Sequence, residues 1–212
     1  MTFPSKNSFL FGSLAVAWLI VIGIGFSILS RYENSPGGSG AASIDWPAQS
    51  QLFHHTNHPT LILFAHPRCP CTKATIEELA LLMACSPSPI DAHVIFFKPP
   101  GLVDDWAQTD LWRSAVRIPG VKVHLDEGNR EAANFHVVTS GHALLYDAQG
   151  RLLFNGGITK ARGQSGVNTG RAAIMDRLNG HSEQSYASTH IFGCSLLDLD
   201  PTCTTTTASS TK

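Results

Sequence analysis

The feature that most constrains the fold is an uncharged apolar run that is followed, after a short interruption, by a helical pattern. Residues 61–65 are apolar throughout, as expected for a strand buried on both faces. Residues 66–68 interrupt this run, and residues 72–84 then carry apolar side chains at helical spacing. Between them lies the sequence Cys-Pro-Cys at residues 69–71. Two thiols therefore lie at a helix N-terminus, where unpaired N–H groups and the positive end of the helix dipole stabilise a thiolate.

The rest of the chain continues to alternate between strand and helix patterns. Two more strands with helices between them are followed by a hairpin across a short turn that contains glycine, and then by a last helix. This order, β-α-β-α-β-α-β-β-α, predicts an α/β fold with a parallel sheet and an added antiparallel hairpin. The segments are strands at 93–98, 121–126, 143–147 and 151–154, and helices at 104–118, 128–135 and 170–178.

The N-terminal part differs sharply in composition from the rest. Residues 9–29 contain no charged side chain, and at ~1.5 Å per residue a helix of that length reaches about 30 Å, which spans a hydrocarbon core. Lys6 and the α-amino group precede the stretch, whereas Arg31 and the oppositely charged Glu33 follow it, and this small bias in positive charge favours the N-terminus inside. We expect an uncleaved transmembrane anchor. A cleaved signal peptide is the alternative, although no good small-residue cleavage site follows closely.

The composition predicts how the chain is divided. We expect a cytoplasmic N-terminus, a transmembrane signal-anchor, a flexible linker, one folded domain and a polar tail. Their ranges are 1–8, 9–30, 31–50, 51–182 and 183–212, and in the tail only the apolar residues 190–197 are expected to dock on the domain. The chain would then be a single-pass membrane protein with its C-terminal domain outside the cytosol.

Charge and cysteine content narrow the function classes. The net charge is −1 and charged residues make up 15%, without a basic patch, so no nucleic-acid partner is expected. Five cysteines is an odd number, which leaves at least one thiol free or paired between molecules. Cys85 ends the apolar helix pattern and is expected to be buried. Cys194 is interpreted as a loose tail cysteine, as a third thiol of the active site, or as a partner of Cys203.

The order of elements, with a cysteine pair after the first strand, resembles the thioredoxin fold, a three-layer architecture with a central mixed sheet. Five segments look like the bacterial RedB group of membrane-anchored thioredoxin-like proteins: residues 64–75, 109–115, 140–150, 156–159 and 192–194. Two departures from thioredoxin stand out. A single residue separates the cysteines, and Gly141 occupies the position where thioredoxin has a cis-proline.

The resemblance and the helix-start position both favour thiol–disulfide exchange with a protein disulfide or dithiol. Cys69 is expected to attack the partner disulfide and Cys71 to resolve the mixed disulfide. Arg68 adds positive charge beside the attacking thiol. His66 and Pro70 are the other expected supporting residues, together with Gly141 and His142 across the site. No cofactor is needed for this chemistry.

Three alternatives remain open at this stage. The first is copper(I) binding by Cys69, Cys71 and His142, a donor set similar to that of Sco-type copper chaperones and suited to a soft ion. The second is a peroxiredoxin, although the Pro-x-x-x-Thr-x-x-Cys pattern of that family is absent. The third is a passive structural cysteine pair.

Overall fold

The computed structural model describes residues 6–180 and 185–196 in two units, divided between Ser35 and Pro36. The first unit is dominated by one helix, α1 (Lys6–Glu33). Its part Leu10–Glu33 has a mean hydropathy of 2.2, so by length and composition it could cross a membrane.

The second unit is built on a six-stranded mixed sheet. Its strands are β1 (Thr60–Ala65), β2 (Asp91–Lys98), β3 (Val121–Glu127), β4 (His142–Tyr146), β5 (Leu152–Gly157) and β6 (Ala187–Ser188). Their order in the sheet is β3-β2-β1-β4-β5-β6. The strands β1, β2 and β3 are parallel to one another, β4 runs antiparallel to both β1 and β5, and β6 is parallel to β5. The helices are α2 (Pro70–Cys85), α3 (Asp110–Val116), α4 (Arg130–Asn134) and α5 (Thr169–Leu178).

Helices cover both faces of the sheet, which gives the three layers expected from the sequence. On one face, apolar side chains of α2, α3 and α5 pack against alternate residues of β1, β2 and β4. On the other face, the remaining alternate residues pack against α4 and Phe135. Because every residue of β1 is buried, this strand lies at the centre of the core, and the loop after it is held on a rigid base.

Two expectations from the sequence, one about a helix and one about the burial of a cysteine, were wrong. The single helix expected over 104–118 is split into a short 3-10 turn (Asp104–Trp106) and α3, because Thr109 is extended and its hydroxyl donates a hydrogen bond to the Pro67 carbonyl. Cys85, expected to be buried, is exposed at the last residue of α2.

Residues 36–50, expected to belong to a flexible linker over 31–50, lie along the domain instead. The Gly37 amide donates a hydrogen bond to the Ile191 carbonyl at 2.8 Å, and the buried Tyr146 hydroxyl donates one to the Ser43 carbonyl at 2.8 Å. Trp46 packs edge-on against Tyr146. These contacts hold a segment whose glycine and serine content alone suggested a tether. At the other end of the chain, Leu197, Cys203 and most of the predicted tail lie outside the described residues.

Candidate active site

Cys69 caps the N-terminus of α2. It has an extended backbone, its amide donates a hydrogen bond to the His66 carbonyl, and its own carbonyl accepts one from the Thr72 amide at 3.1 Å. Pro70 is the first helical residue, a position that suits proline because no intrahelical partner is available there for an N–H group. The sequence therefore places the Cys69 thiol directly at the positive end of a helix of 16 residues.

Three cysteines, rather than two, meet at this point. The sulfurs of Cys69 and Cys194 lie 2.7 Å apart, within hydrogen-bond distance. The Cys71 thiol is also in contact with the Cys69 thiol. Cys69 is 2% exposed and Cys71 is 8% exposed, while Cys194 is half-buried. The structure thus places Cys194 at the site instead of in a loose tail.

Cys194 is held by a segment that we call the C-terminal strap, residues 187–196. The strap begins as β6 at the edge of the sheet and then crosses the end of β4. The Cys194 carbonyl accepts a hydrogen bond from the Ser140 amide at 2.8 Å, and two residues later the Leu196 amide donates one to the Val138 carbonyl at 2.9 Å. Ile191 and Leu196 are buried. The strap is therefore held at Cys194 and just after it against the segment that leads into β4.

The three thiols have very different acidities. A hydrogen bond from Cys194 is the main cause that lowers the pKa of Cys69 to about 5, and backbone amides at the start of α2 add to it against the opposing effect of burial. Burial and the neighbouring Cys69 charge raise the pKa of Cys71. The hydrogen bond to Cys69, together with burial, raises the pKa of Cys194. The site accordingly holds one thiolate and two protonated thiols near neutral pH.

Arg162 supplies positive charge that the sequence did not reveal. Its guanidinium donates a hydrogen bond to the Gly193 carbonyl at 2.6 Å, and its charge acts on both Cys71 and Cys194 to favour their thiolates. The residue lies in the long glycine-rich loop after β5, whose composition gives no sign that it reaches the cysteines. In the sequence, only the presence of an arginine in this loop could have suggested that a positive charge reaches the thiols.

The Arg162 loop is anchored by a buried carboxylate. Glu78 of α2 is fully buried and accepts hydrogen bonds from the Gly166 amide, the Asn168 side chain and the Arg171 guanidinium. Because Asn168 also caps α5, the same carboxylate joins α2, the loop and α5. The residues around the thiols are thereby kept in place by a charged network inside the domain.

The expected supporting residues form one rim of the site. The His66 ring accepts a hydrogen bond from the Arg68 amide at 3.1 Å, and the Arg68 guanidinium lies 4.6 Å from the centre of the Trp106 ring. The Ser140 hydroxyl accepts a hydrogen bond from the His66 amide and lies 3.0 Å from the Thr72 hydroxyl. These contacts order the loop between β1 and α2, and Arg68 points to the aromatic ring of Trp106.

Gly141 lies opposite the start of α2, as expected. Its φ is +87°, a conformation that favours glycine, and its amide donates a hydrogen bond to the Phe64 carbonyl at 2.7 Å. A Cβ atom at this position would lie 3.2 Å from the Thr75 hydroxyl and 3.4 Å from the Phe192 carbonyl. Glycine therefore lets the strap and α2 approach β4 closely.

His142 does not join the cysteines, which corrects the expectation that it faces them. Because Gly141 faces α2, strand alternation directs the next side chain to the opposite face of the sheet. There His142 is fully buried, its Nε2 is hydrogen-bonded to Asn155, and burial lowers its pKa to about 4. Within residues 6–180 and 185–196, no group of three or more histidine, cysteine, aspartate or glutamate side chains is arranged to hold a metal ion. The proposed copper(I) donor set therefore does not fit this geometry.

Comparison with known proteins gives similarity in fold. No protein-family model and no curated protein matches the sequence. Among solved structures, an uncharacterized conserved protein from Geobacillus kaustophilus aligns with a TM-score of 0.53 and 15% identity over 76% of this chain and 91% of that chain. A hypothetical protein from Sinorhizobium meliloti 1021 aligns with a TM-score of 0.49 and 20% identity over 76% of this chain and 93% of that one.

A third similar structure has a described activity. A secreted disulfide oxidoreductase from Mycobacterium tuberculosis aligns with a TM-score of 0.41 and 15% identity over 60% of this chain and 84% of that chain. At these identities the likeness concerns the fold alone. The observed strand order and helix placement, with the likeness to the Geobacillus kaustophilus structure, confirm the expectation drawn from the sequence that the chain has a thioredoxin-like fold.

Proposed function

We propose that the chain is a membrane-anchored, extracytoplasmic thiol–disulfide oxidoreductase of the RedB-like kind, in which Cys69 is the attacking thiol. The observation that carries this proposal is the Cys69 thiol itself, with a pKa of about 5 at the start of α2 and two further thiols in contact. A thiolate is the species that attacks a disulfide, and a nearby second thiol is what converts attack into complete exchange.

The reaction transfers two electrons between the dithiol and a partner. The Cys69 thiolate attacks a partner disulfide, a mixed disulfide forms, and the other partner sulfur leaves as a thiolate. A second thiol then attacks the Cys69 sulfur and releases the partner in reduced form. Cys71 is the second thiol that the Cys-Pro-Cys sequence predicts. With a dithiol partner the same steps run in reverse, and no cofactor takes part.

The acidity of Cys69 bears on the direction of electron flow. A thiol with a pKa of about 5 is a thiolate at neutral pH, which stabilises the reduced form relative to the disulfide. We therefore expect a reduction potential above about −300 mV, the level below which structural disulfides resist reduction.

Equilibration of the detergent-solubilised full chain with mixtures of reduced and oxidised glutathione tests the proposal. One reversible two-electron transition is expected, lost in Cys69→Ser and retained in Cys85→Ser, since Cys85 is exposed at the far end of α2. A chain whose Cys69 does not exchange with glutathione at any ratio contradicts the proposal. A potential below about −300 mV contradicts the expected direction.

The location in the bacterial inner membrane, with the domain in the periplasm, belongs to the same proposal and is supported by the length and hydropathy of α1. The exposed Cys85 thiol offers a test in cells. A membrane-impermeant maleimide should label the Cys85 peptide once the outer membrane is opened, and Cys85→Ser should remove the label from that peptide. Labelling only after the inner membrane is also broken contradicts this orientation.

A further inference from the structure

We propose that Cys194, rather than Cys71, is the resolving cysteine, so that the working redox pair is Cys69–Cys194 on α2 and the C-terminal strap. The inference rests on the proposed function and identifies the second thiol of that reaction. It also gives the strap a chemical role in place of a purely structural one.

Cys194 is close to Cys69 and is held in place. Its sulfur lies 2.7 Å from the Cys69 sulfur, within the separation of about 3–3.5 Å from which reacting atoms attack one another. The hydrogen bond from the Ser140 amide to the Cys194 carbonyl, and the one from the Leu196 amide to the Val138 carbonyl, hold this part of the strap against the end of β4. The nucleophile is therefore already in position, and no rearrangement of α2 is needed to bring it to Cys69.

Cys71 is poorly placed to form a disulfide with Cys69. A disulfide between Cys69 and Cys71 would close a small ring across one proline, and ring closure of that kind strains the torsion angles that a disulfide prefers. Cys71 is also the second residue of α2, so its backbone is committed to the helix. A bond between Cys69 and Cys194 joins two segments distant in sequence and leaves the start of α2 unchanged.

Formation of the mixed disulfide itself activates Cys194. The hydrogen bond to Cys69 and the Cys69 charge hold the pKa of Cys194 high, while the Arg162 charge lowers it. Once the Cys69 sulfur is bound to the partner, the Cys69 charge and its demand for a hydrogen bond disappear, and the effect of Arg162 remains. Cys194 thus becomes easier to deprotonate at the moment it is needed.

Resolution of the mixed disulfide by Cys194 completes the transfer of two electrons to the partner. In the mixed disulfide, Cys194 loses its proton to solvent and attacks the Cys69 sulfur. The Cys69–Cys194 bond forms, the bond from Cys69 to the partner breaks, and the partner sulfur leaves as a thiolate that takes up a proton. Two protein thiols are oxidised and one partner disulfide is reduced to two thiols.

Matched serine variants of the full chain, reduced and then exposed to oxidised glutathione, test the proposal. In Cys194→Ser the glutathione adduct on Cys69 should persist, with release of the second glutathione slowed by at least about 100-fold, because the intramolecular nucleophile is gone. In Cys71→Ser the adduct should not accumulate, because Cys194 is still present, and Cys85→Ser, altered at the far end of α2, is the control that should keep the original rate. An adduct trapped in Cys71→Ser, or released at the original rate in Cys194→Ser, overturns the proposal.

Peptide mapping of the oxidised, unmutated chain gives an independent measurement that does not depend on variants. Fragmentation of the linked peptides should place the bond on Cys69 and Cys194, and thereby distinguish them from Cys71 and Cys203, which can lie on the same peptides. A bond confined to Cys69 and Cys71 overturns the assignment while leaving the proposed function intact. If Cys69 forms no adduct and no disulfide, the proposed function itself fails.

Discussion

Replacing Cys194 with alanine should raise the pKa of Cys69, because it removes the hydrogen bond that contributes most to lowering this pKa. A hydrogen bond to a charged group is worth about 1.5–3 kcal/mol. Since one pH unit corresponds to about 1.36 kcal/mol, the expected increase is about one to two pH units above the present value of about 5. At pH 5 the thiolate fraction of Cys69 should then fall from about one half to about 1–10%.

The rate of alkylation by iodoacetamide reports the thiolate fraction, and mass spectrometry of the Cys69 peptide makes the measurement specific. The quantity to compare between Cys194→Ala and the unmutated chain is the midpoint of the rate profile between about pH 4 and about pH 9. The absolute rate is not suitable, because the smaller side chain also exposes Cys69. Cys85 in the same sample serves as an internal reference that should be identical in both chains.

A conservative variant separates the hydrogen bond from the chemistry of the sulfur. Cys194→Ser keeps an O–H donor at the same place, so its Cys69 midpoint should stay near that of the unmutated chain even though no disulfide can form. If the midpoint of Cys194→Ala lies within about 0.3 pH units of the original, the hydrogen bond does not set the acidity of Cys69 and the reasoning is refuted.

Three further outcomes are expected. Glu78→Gln should lower the free energy of unfolding by about 3 kcal/mol in urea titrations, because it leaves the Arg171 charge without its buried partner, whereas the exposed neighbour variant Glu77→Gln should change it by less than about 0.5 kcal/mol. Arg162→Met should slow release of the second glutathione by about tenfold, as its charge favours the resolving thiolate; an unchanged rate contradicts this role. His142→Ala should leave copper(I) affinity unchanged in competition with a chromophoric chelator, and a clear loss would restore the copper hypothesis.

The order of strands and helices could be predicted from the sequence because each element carries its own local pattern. The apolar run at β1, the helical spacing of α2 and the short glycine-containing turn between β4 and β5 are such patterns. The short strand β6 could not be predicted, since two residues carry no periodicity and their pairing depends on the edge of β5. The helix expected over 104–118 was wrong because a tertiary contact between Thr109 and Pro67 interrupts it.

At the site, the sequence indicated the position of Cys69 but not its surroundings. The helix-start rule is local, and it places Cys69 and Pro70 correctly at the beginning of α2. The proximity of Cys194 and Arg162 arises from chain segments about a hundred residues away, and no spacing rule connects them to Cys69. The error for His142 has a simple geometric origin, since a shift of one residue in a strand reverses the face on which a side chain lies.

Gly193 sets how closely the two sulfurs can approach each other. A Cβ atom there would lie 1.8 Å from the Ser140 carbonyl oxygen, so only a residue without a side chain allows the strap to lie this close to β4. Ser140 in turn holds the Cys194 backbone through its amide. The missing methyl group of Gly193 therefore determines the distance between the two sulfurs. Alanine at this position would leave the three cysteines of the site unchanged and still move Cys194 away from Cys69.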